Sequence, residues 1–220
     1  MFKKNKWIFY VIMPMIFFAL FTLMYLLFGR EILQIGMSGW KSAAVRGAIE
    51  YEYESEGDKT LKPTDGEIKQ DEINYPSRGK QYGEIVSEKA ELRGPLYYGD
   101  SEDILEKGIG TYTAFGLPGE GKTILTGGHD TTFYAPLEKL EVGDVLTVTT
   151  TYGDFRYEVY DSQIGNVTDE SLYKLDDDSE VLILYTCYPF GETSGLREER
   201  YFVYAQKKSG PQIKEDRNEG

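Results

Sequence analysis

Residues 181–191 read VLILYTCYPFG, and the fold turns on how they are read. The unbroken apolar run from Val181 to Tyr185, closed by Pro189 and Gly191, predicts a strand buried on both faces that ends in a turn. Cys187, the only cysteine in 220 residues, falls at the end of that strand, where a thiol meets solvent. A single cysteine forms no intramolecular disulfide, so the surrounding domain must stand on its core alone. An exposed thiol also invites oxidation, so its presence calls for a chemical reason.

Working outward, the texture from Tyr82 onward is one of short β-like runs broken by turns. The runs are 82–87, 90–94, 110–115, 122–127, 145–150, 155–164, 180–187 and 200–206. Eight short strands predict a mostly β domain, a barrel or a sandwich. Gly143 and Gly153 supply turns. Short helices are predicted over 101–108, with Ser101 as cap and Gly108 as stop, and over 168–175.

Upstream, residues 50–72 are dense in Glu and Asp with few apolar side chains, a composition that extends by self-repulsion and buries no core. From Trp7 to Phe28 no residue is charged. At about 1.5 Å per helical residue that segment reaches roughly 33 Å, enough to span a bilayer. Lys3, Lys4 and Lys6 precede it, which predicts a cytoplasmic N-terminus and an outward-facing domain. The apolar region of a cleaved signal peptide runs about 7–15 residues, so an uncleaved anchor is the better reading. The expected organisation is a cytoplasmic tail over 1–6, an anchor over 7–28, a juxtamembrane stalk and acidic linker over 29–80, a catalytic domain over 81–207 and a polar tail over 208–220. With 24 basic and 37 acidic residues the net charge is −13, which argues against nucleic-acid binding.

The inventory of nucleophiles and bases is short. His129, the single histidine, follows the apolar run KTILTGG, in which Gly127 and Gly128 are expected to let the backbone turn. Arg200 opens the strand after Cys187. Sequence distance does not keep such residues apart in a barrel. Each has a plain alternative: a structural histidine, a buried thiol, an arginine that offsets Glu198 and Glu199.

Together, TGGHDTTFYAPLEKLEVGDVLTV (126–148), VLILYTCYPFG (181–191) and ERYFVYA (199–205) resemble the sortases, membrane-anchored cysteine transpeptidases of Gram-positive bacteria. The resemblance covers about residues 82–206, and the region around His129 with CYPF after the nucleophile is most similar to class D. It implies an eight-stranded sortase-type β-barrel with short helices, preceded by one N-terminal transmembrane helix. Catalytic roles fall to Cys187, His129 and Arg200, and substrate contacts to Thr186 and Tyr188, with Thr186 alternatively holding the strand end. One departure stands out: relatives often carry Arg and then Asp after the catalytic His, whereas here Asp130 follows His129 directly.

The resemblance further implies cleavage of an LPxTG-like sorting signal, with Ala as an alternative last residue, after its Thr. Cys187 would form a thioacyl intermediate and His129 would protonate the leaving amine. The acyl group would then pass to an amine of a lipid-linked peptidoglycan precursor. Arg200 would hold substrate and stabilise the oxyanion, and positive charge beside the thiol would favour the thiolate. Surface proteins with C-terminal sorting signals are the implied partners. No cofactor is expected. Some relatives bind calcium in an acidic loop before the His strand, but residues 116–122 offer only Glu120, so no metal is expected. Two other readings compete: a thiol hydrolase (protease) that passes the acyl group to water, and a non-catalytic membrane-anchored binding module.

Overall fold

The computed structural model describes residues 10, 12–24, 64–173, 179–192 and 197–214. The chain divides into two compact units, Met1–Tyr51 and Glu52–Gly220. In the first, residues 12–24 are helical with their apolar side chains exposed, and Thr22 Oγ1 donates to the Phe18 carbonyl at 2.7 Å. No helix among the described residues is long and apolar enough to cross a membrane. The flanks of the expected 7–28 segment, the tail at 1–6 and most of the stalk lie outside the described residues.

The second unit is built on a closed eight-stranded barrel. Its strands are β2 (Gln81–Ser87), β3 (Leu92–Tyr98), β4 (Ile109–Thr111), β5 (Ile124–Gly127), β6 (Val145–Thr150), β7 (Asp154–Asn166), β8 (Val181–Cys187) and β9 (Glu199–Ser209). Around the barrel they run β2-β3-β4-β5-β8-β9-β7-β6. All eight predicted runs contribute a strand. The pairs β3·β4 and β5·β8 are parallel and the remaining pairs antiparallel.

Period-two alternation explains the sequence of β6, where Leu146, Val148 and Thr150 face inward, and of β7, where Phe155, Tyr157 and Val159 do the same. β8 lacks such alternation because both of its faces are covered. Leu182 and Leu184 are buried on one face. On the other, Val181 and Ile183 join Leu125, Leu172, Phe202 and Tyr204 in a second core. Leu172 comes from the 3-10 turn Glu170–Tyr173 in the β7–β8 crossover, which thereby roofs the strand; the Tyr204 hydroxyl donates to the Leu172 carbonyl at 2.9 Å. Each such apolar side chain contributes about 1.5–3 kcal/mol on burial.

Two expectations need correction. Ordered pairing extends past both expected domain edges, because β1 (Glu67–Lys69) and β10 (Gln212–Lys214) form a parallel pair with Ile68 and Ile213 buried. Three-residue strands this far apart in sequence leave no local periodicity to read. The helix expected over 101–108 is shorter, α1 (Glu102–Leu105), and Ser101 caps it through its carbonyl, which accepts from Ile104 and Leu105 N–H, while its hydroxyl turns to Asp103.

Candidate active site

The candidate site residues are placed by strand register. β8 and β9 pair so that Cys187 stands opposite Arg200 and Thr186 opposite Tyr201. β5 runs parallel to β8 with Gly127 beside Tyr185. One residue further along each strand, buried Thr186 donates from Oγ1 to the Gly128 carbonyl at 2.7 Å. The next residues are His129 and Cys187. The sulfur, imidazole and guanidinium carriers thus leave the barrel at one rim. The thiol is free and half-buried.

The glycines before His129 act otherwise than expected. Neither Gly127 nor Gly128 has a positive φ. A Cβ on Gly128 would meet the Tyr134 ring at 2.9 Å, and one on Gly127 the Tyr185 ring at 3.3 Å. They allow close approach rather than a turn. The turn comes afterwards, where the His129 carbonyl accepts the N–H groups of Thr132 (3.2 Å) and Tyr134 (3.1 Å). Tyr134 is fully buried, and its hydroxyl pairs with Thr126 Oγ1 at 2.7 Å, so the segment after the histidine is rooted in the core.

His129 is 31% exposed, with Nε2 3.4 Å from Glu102 Oε1 of α1. Arg200 donates from Nη1 to the carbonyls of Arg197 (2.6 Å) and Glu199 (2.9 Å). Nη1 carries two of the guanidinium's five N–H donors. Tyr185, on the same face of β8 as Cys187, stacks on Phe202 with ring centroids 5.6 Å apart and hydrogen-bonds to the Tyr112 hydroxyl. Burial pushes both phenols above their ordinary pKa, which keeps them neutral near the rim. Tyr188 leaves the strand with its N–H on the Glu199 carbonyl at 3.1 Å and its ring edge-on to Phe190.

Asp130 is buried. Its carboxylate accepts from Arg197 Nη1 (2.7 Å), Arg197 Nη2 (3.2 Å) and the Gly191 N–H (2.8 Å), while Arg197 Nη1 also reaches the Pro189 carbonyl at 3.0 Å. Among the described residues no group of three or more His, Cys, Asp or Glu side chains is placed to hold a metal ion. Glu120 instead closes its own loop, accepting the Leu117 N–H at 2.9 Å.

A family model described as "Sortase domain" matches residues 85–208. The chain belongs to the sortase family. The family is one of cysteine transpeptidases. The chain is 35% identical over 132 residues to Sortase D of Bacillus subtilis (strain 168), an alignment covering 60% of this chain and 66% of that relative, just under two thirds of its length. Sortase C from Clostridium perfringens SM101 is similar in structure, with TM-score 0.54 and 29% identity over 60% of this chain and 72% of the other. Clostridium perfringens sortase C with the C-terminal cell wall sorting motif gives TM-score 0.54 and 28% identity, with the same coverage.

Sequence reasoning missed several neighbours of the sortase site. Tyr112 sat in a run read as strand, although β4 ends at Thr111. Arg197 was lost in the charged run REER, and Glu102 was read only as part of a helix. In the sequence Asp130 stands out only as a departure after His129, with no partner in view. Its signal was there: an acid beside the histidine, with an arginine just before Arg200.

Proposed function

We propose that this sortase is a class D-like, membrane-anchored cysteine transpeptidase that cleaves an LPxTG-like or LPxTA-like sorting signal after its Thr. Cys187 attacks the Thr carbonyl, the C–N bond breaks, and His129 gives the departing amine a proton. The thioacyl enzyme is then opened by an amine of a lipid-linked peptidoglycan precursor, whose proton His129 takes, and the thiol is restored. Arg200, with neighbouring backbone N–H groups, holds the substrate carbonyl as its oxygen gains charge; one such donor is typically worth about 2.7–4 kcal/mol. Thr186 and Tyr188 flank the acyl site.

The observation that carries this reading is the register that sets Cys187 against Arg200 while the Thr186–Gly128 bond ties the exit of the His129 strand to it. The relative described with a cell wall sorting motif supports the substrate class. Residues 7–28, preceded by Lys3, Lys4 and Lys6, serve as the anchor, with the N-terminus cytoplasmic and the barrel outside the cell. Anchoring holds enzyme, surface protein and lipid-linked acceptor in one plane and so raises their effective concentration.

The test is to incubate the detergent-solubilised full chain with a sorting-signal peptide and a panel of amines, following products by mass spectrometry. The expected result is a ligated peptide and an acyl adduct on Cys187, both absent in Cys187→Ala. Cleavage without transfer to any amine would instead make the protein a thiol hydrolase.

A further inference from the structure

Asp130 occupies a position where a charge needs a reason. Its side chain is 2% exposed, and Arg197, its partner, is 19% exposed, so the pair is nearly dry. Both carboxylate oxygens are engaged, by two guanidinium nitrogens and one backbone N–H. Such a bidentate pair is geometrically specific. Each end of it abuts a reacting residue. Asp130 follows His129 in the chain. Gly191 and Pro189, which donate to Asp130 and accept from Arg197, lie on the segment leaving Cys187. The Arg197 carbonyl receives Arg200 Nη1 at 2.6 Å.

From this we propose that Asp130 and Arg197 form a positioning clamp that ties the segment leaving β8 to the one entering β9 and, through the Arg197 carbonyl, aims the Arg200 guanidinium at the rim beside Cys187. The proposal rests on the sortase reading of the rim, but it also makes a claim that needs no substrate. The Asp130 carboxylate accepts its three hydrogen bonds from Arg197 and Gly191. The carboxylate directly after the histidine is thus a strut for the arginine on the other side of the thiol.

The experiment is a double-mutant cycle on the full chain. Asp130→Asn removes the counter-charge and is expected to lower kcat/KM by about 10²-fold, mostly in kcat, as a displaced positioning group does. Alkylation of Cys187 by iodoacetamide at fixed neutral pH should also slow severalfold, because a wandering Arg200 favours the thiolate less. In an Arg200→Ala background, Asp130→Asn should change neither readout further. Arg197→Lys keeps the charge but loses the fork that spans Asp130 and the Pro189 carbonyl, and it should show a smaller loss of the same kind.

Losses that multiply with those of Arg200→Ala overturn the clamp, as does an Asp130→Asn protein that alkylates and turns over like the wild type. Should Asp130→Asn be unfolded at the assay temperature, Arg197→Lys decides, and wild-type rates there overturn the proposal. A chain that transfers no sorting-signal peptide, yet alkylates at a rate dependent on Asp130 only when Arg200 is present, would remove the transpeptidase reading and support the clamp.

Discussion

Replacing Thr186 by Val tests whether the bond between the two strand exits is catalytic scaffolding or mere stability. The change keeps the shape of a side chain that is 2% exposed and deletes the hydroxyl that donates to Gly128 at 2.7 Å. A hydrogen bond contributes about 0.5–1.5 kcal/mol, and a buried acceptor left without its donor costs about 1–3 kcal/mol, so a loss near 2 kcal/mol is expected. For a domain of this size that lowers the melting midpoint by about 4–8 °C. Because the bond joins the residues immediately before His129 and Cys187, kcat/KM should fall by about tenfold even where all of the protein is folded. Thr150→Val is the control: it deletes a fully buried hydroxyl that donates to the Gly153 carbonyl at 2.9 Å on β6, a strand that pairs with neither β5 nor β8. Its midpoint should drop comparably with kcat/KM nearly unchanged. Calorimetry and initial rates on the two variants decide the matter. A Thr186→Val enzyme that melts early but turns over at the wild-type rate, or equal rate losses in both variants, would refute the reasoning.

Glu180 is buried at the opposite end of β8 from Cys187, accepting the Gly119 and Gly121 N–H groups, the Tyr157 hydroxyl and the Lys207 ammonium. Glu180→Ala strands the two N–H groups and the phenol, leaves the Lys207 ammonium only its Pro211 and Gln212 acceptors, and should destabilise the barrel by about 3–5 kcal/mol in urea titration, with Cys187 alkylation unchanged while the protein is folded. Burial alone would raise the Asp144 carboxyl, but hydrogen bonds from Lys89 and the Glu141 N–H outweigh it and hold the carboxyl below the ordinary range. A depressed folded-state pKa gives stability that is present above the unfolded value and lost as pH falls through the folded one. The gap in melting midpoint between wild type and Asp144→Asn should therefore be full at neutral pH and close in acid. Glu102 is 77% exposed, so its pair with His129 is worth about 0–1 kcal/mol. Glu102→Gln should change kcat/KM by less than about fivefold, with a difference that shrinks in high salt.

The strands were legible because their burial is periodic, and β8 because its apolar run is long enough to mark a strand covered on both faces. The meeting of Cys187, His129 and Arg200 at one rim was legible, the first two through rarity and the third through its spacing from Cys187. The supports around them were not, since each depends on a partner distant in sequence: Thr186 needs Gly128, Asp130 needs Arg197, and Glu180 needs the Gly119 and Gly121 amides. Gly127 and Gly128 were misread for a related reason, because what they avoid is the rings of Tyr185 and Tyr134, and sequence alone does not show which ring will lie overhead.

The parallel pairing of Glu67–Lys69 with Gln212–Lys214 fastens the stretch before the barrel to the stretch after it, with Ile68 and Ile213 buried at the seam. The seam also reaches a loop: the Ile213 N–H bonds to the carbonyl of Gly119, whose own N–H, with that of Gly121, holds the Glu180 carboxylate. The last three-residue strand thus braces the buried charge at the foot of β8, so trimming the chain ahead of Gln212 would be felt inside the barrel and not only at its edge.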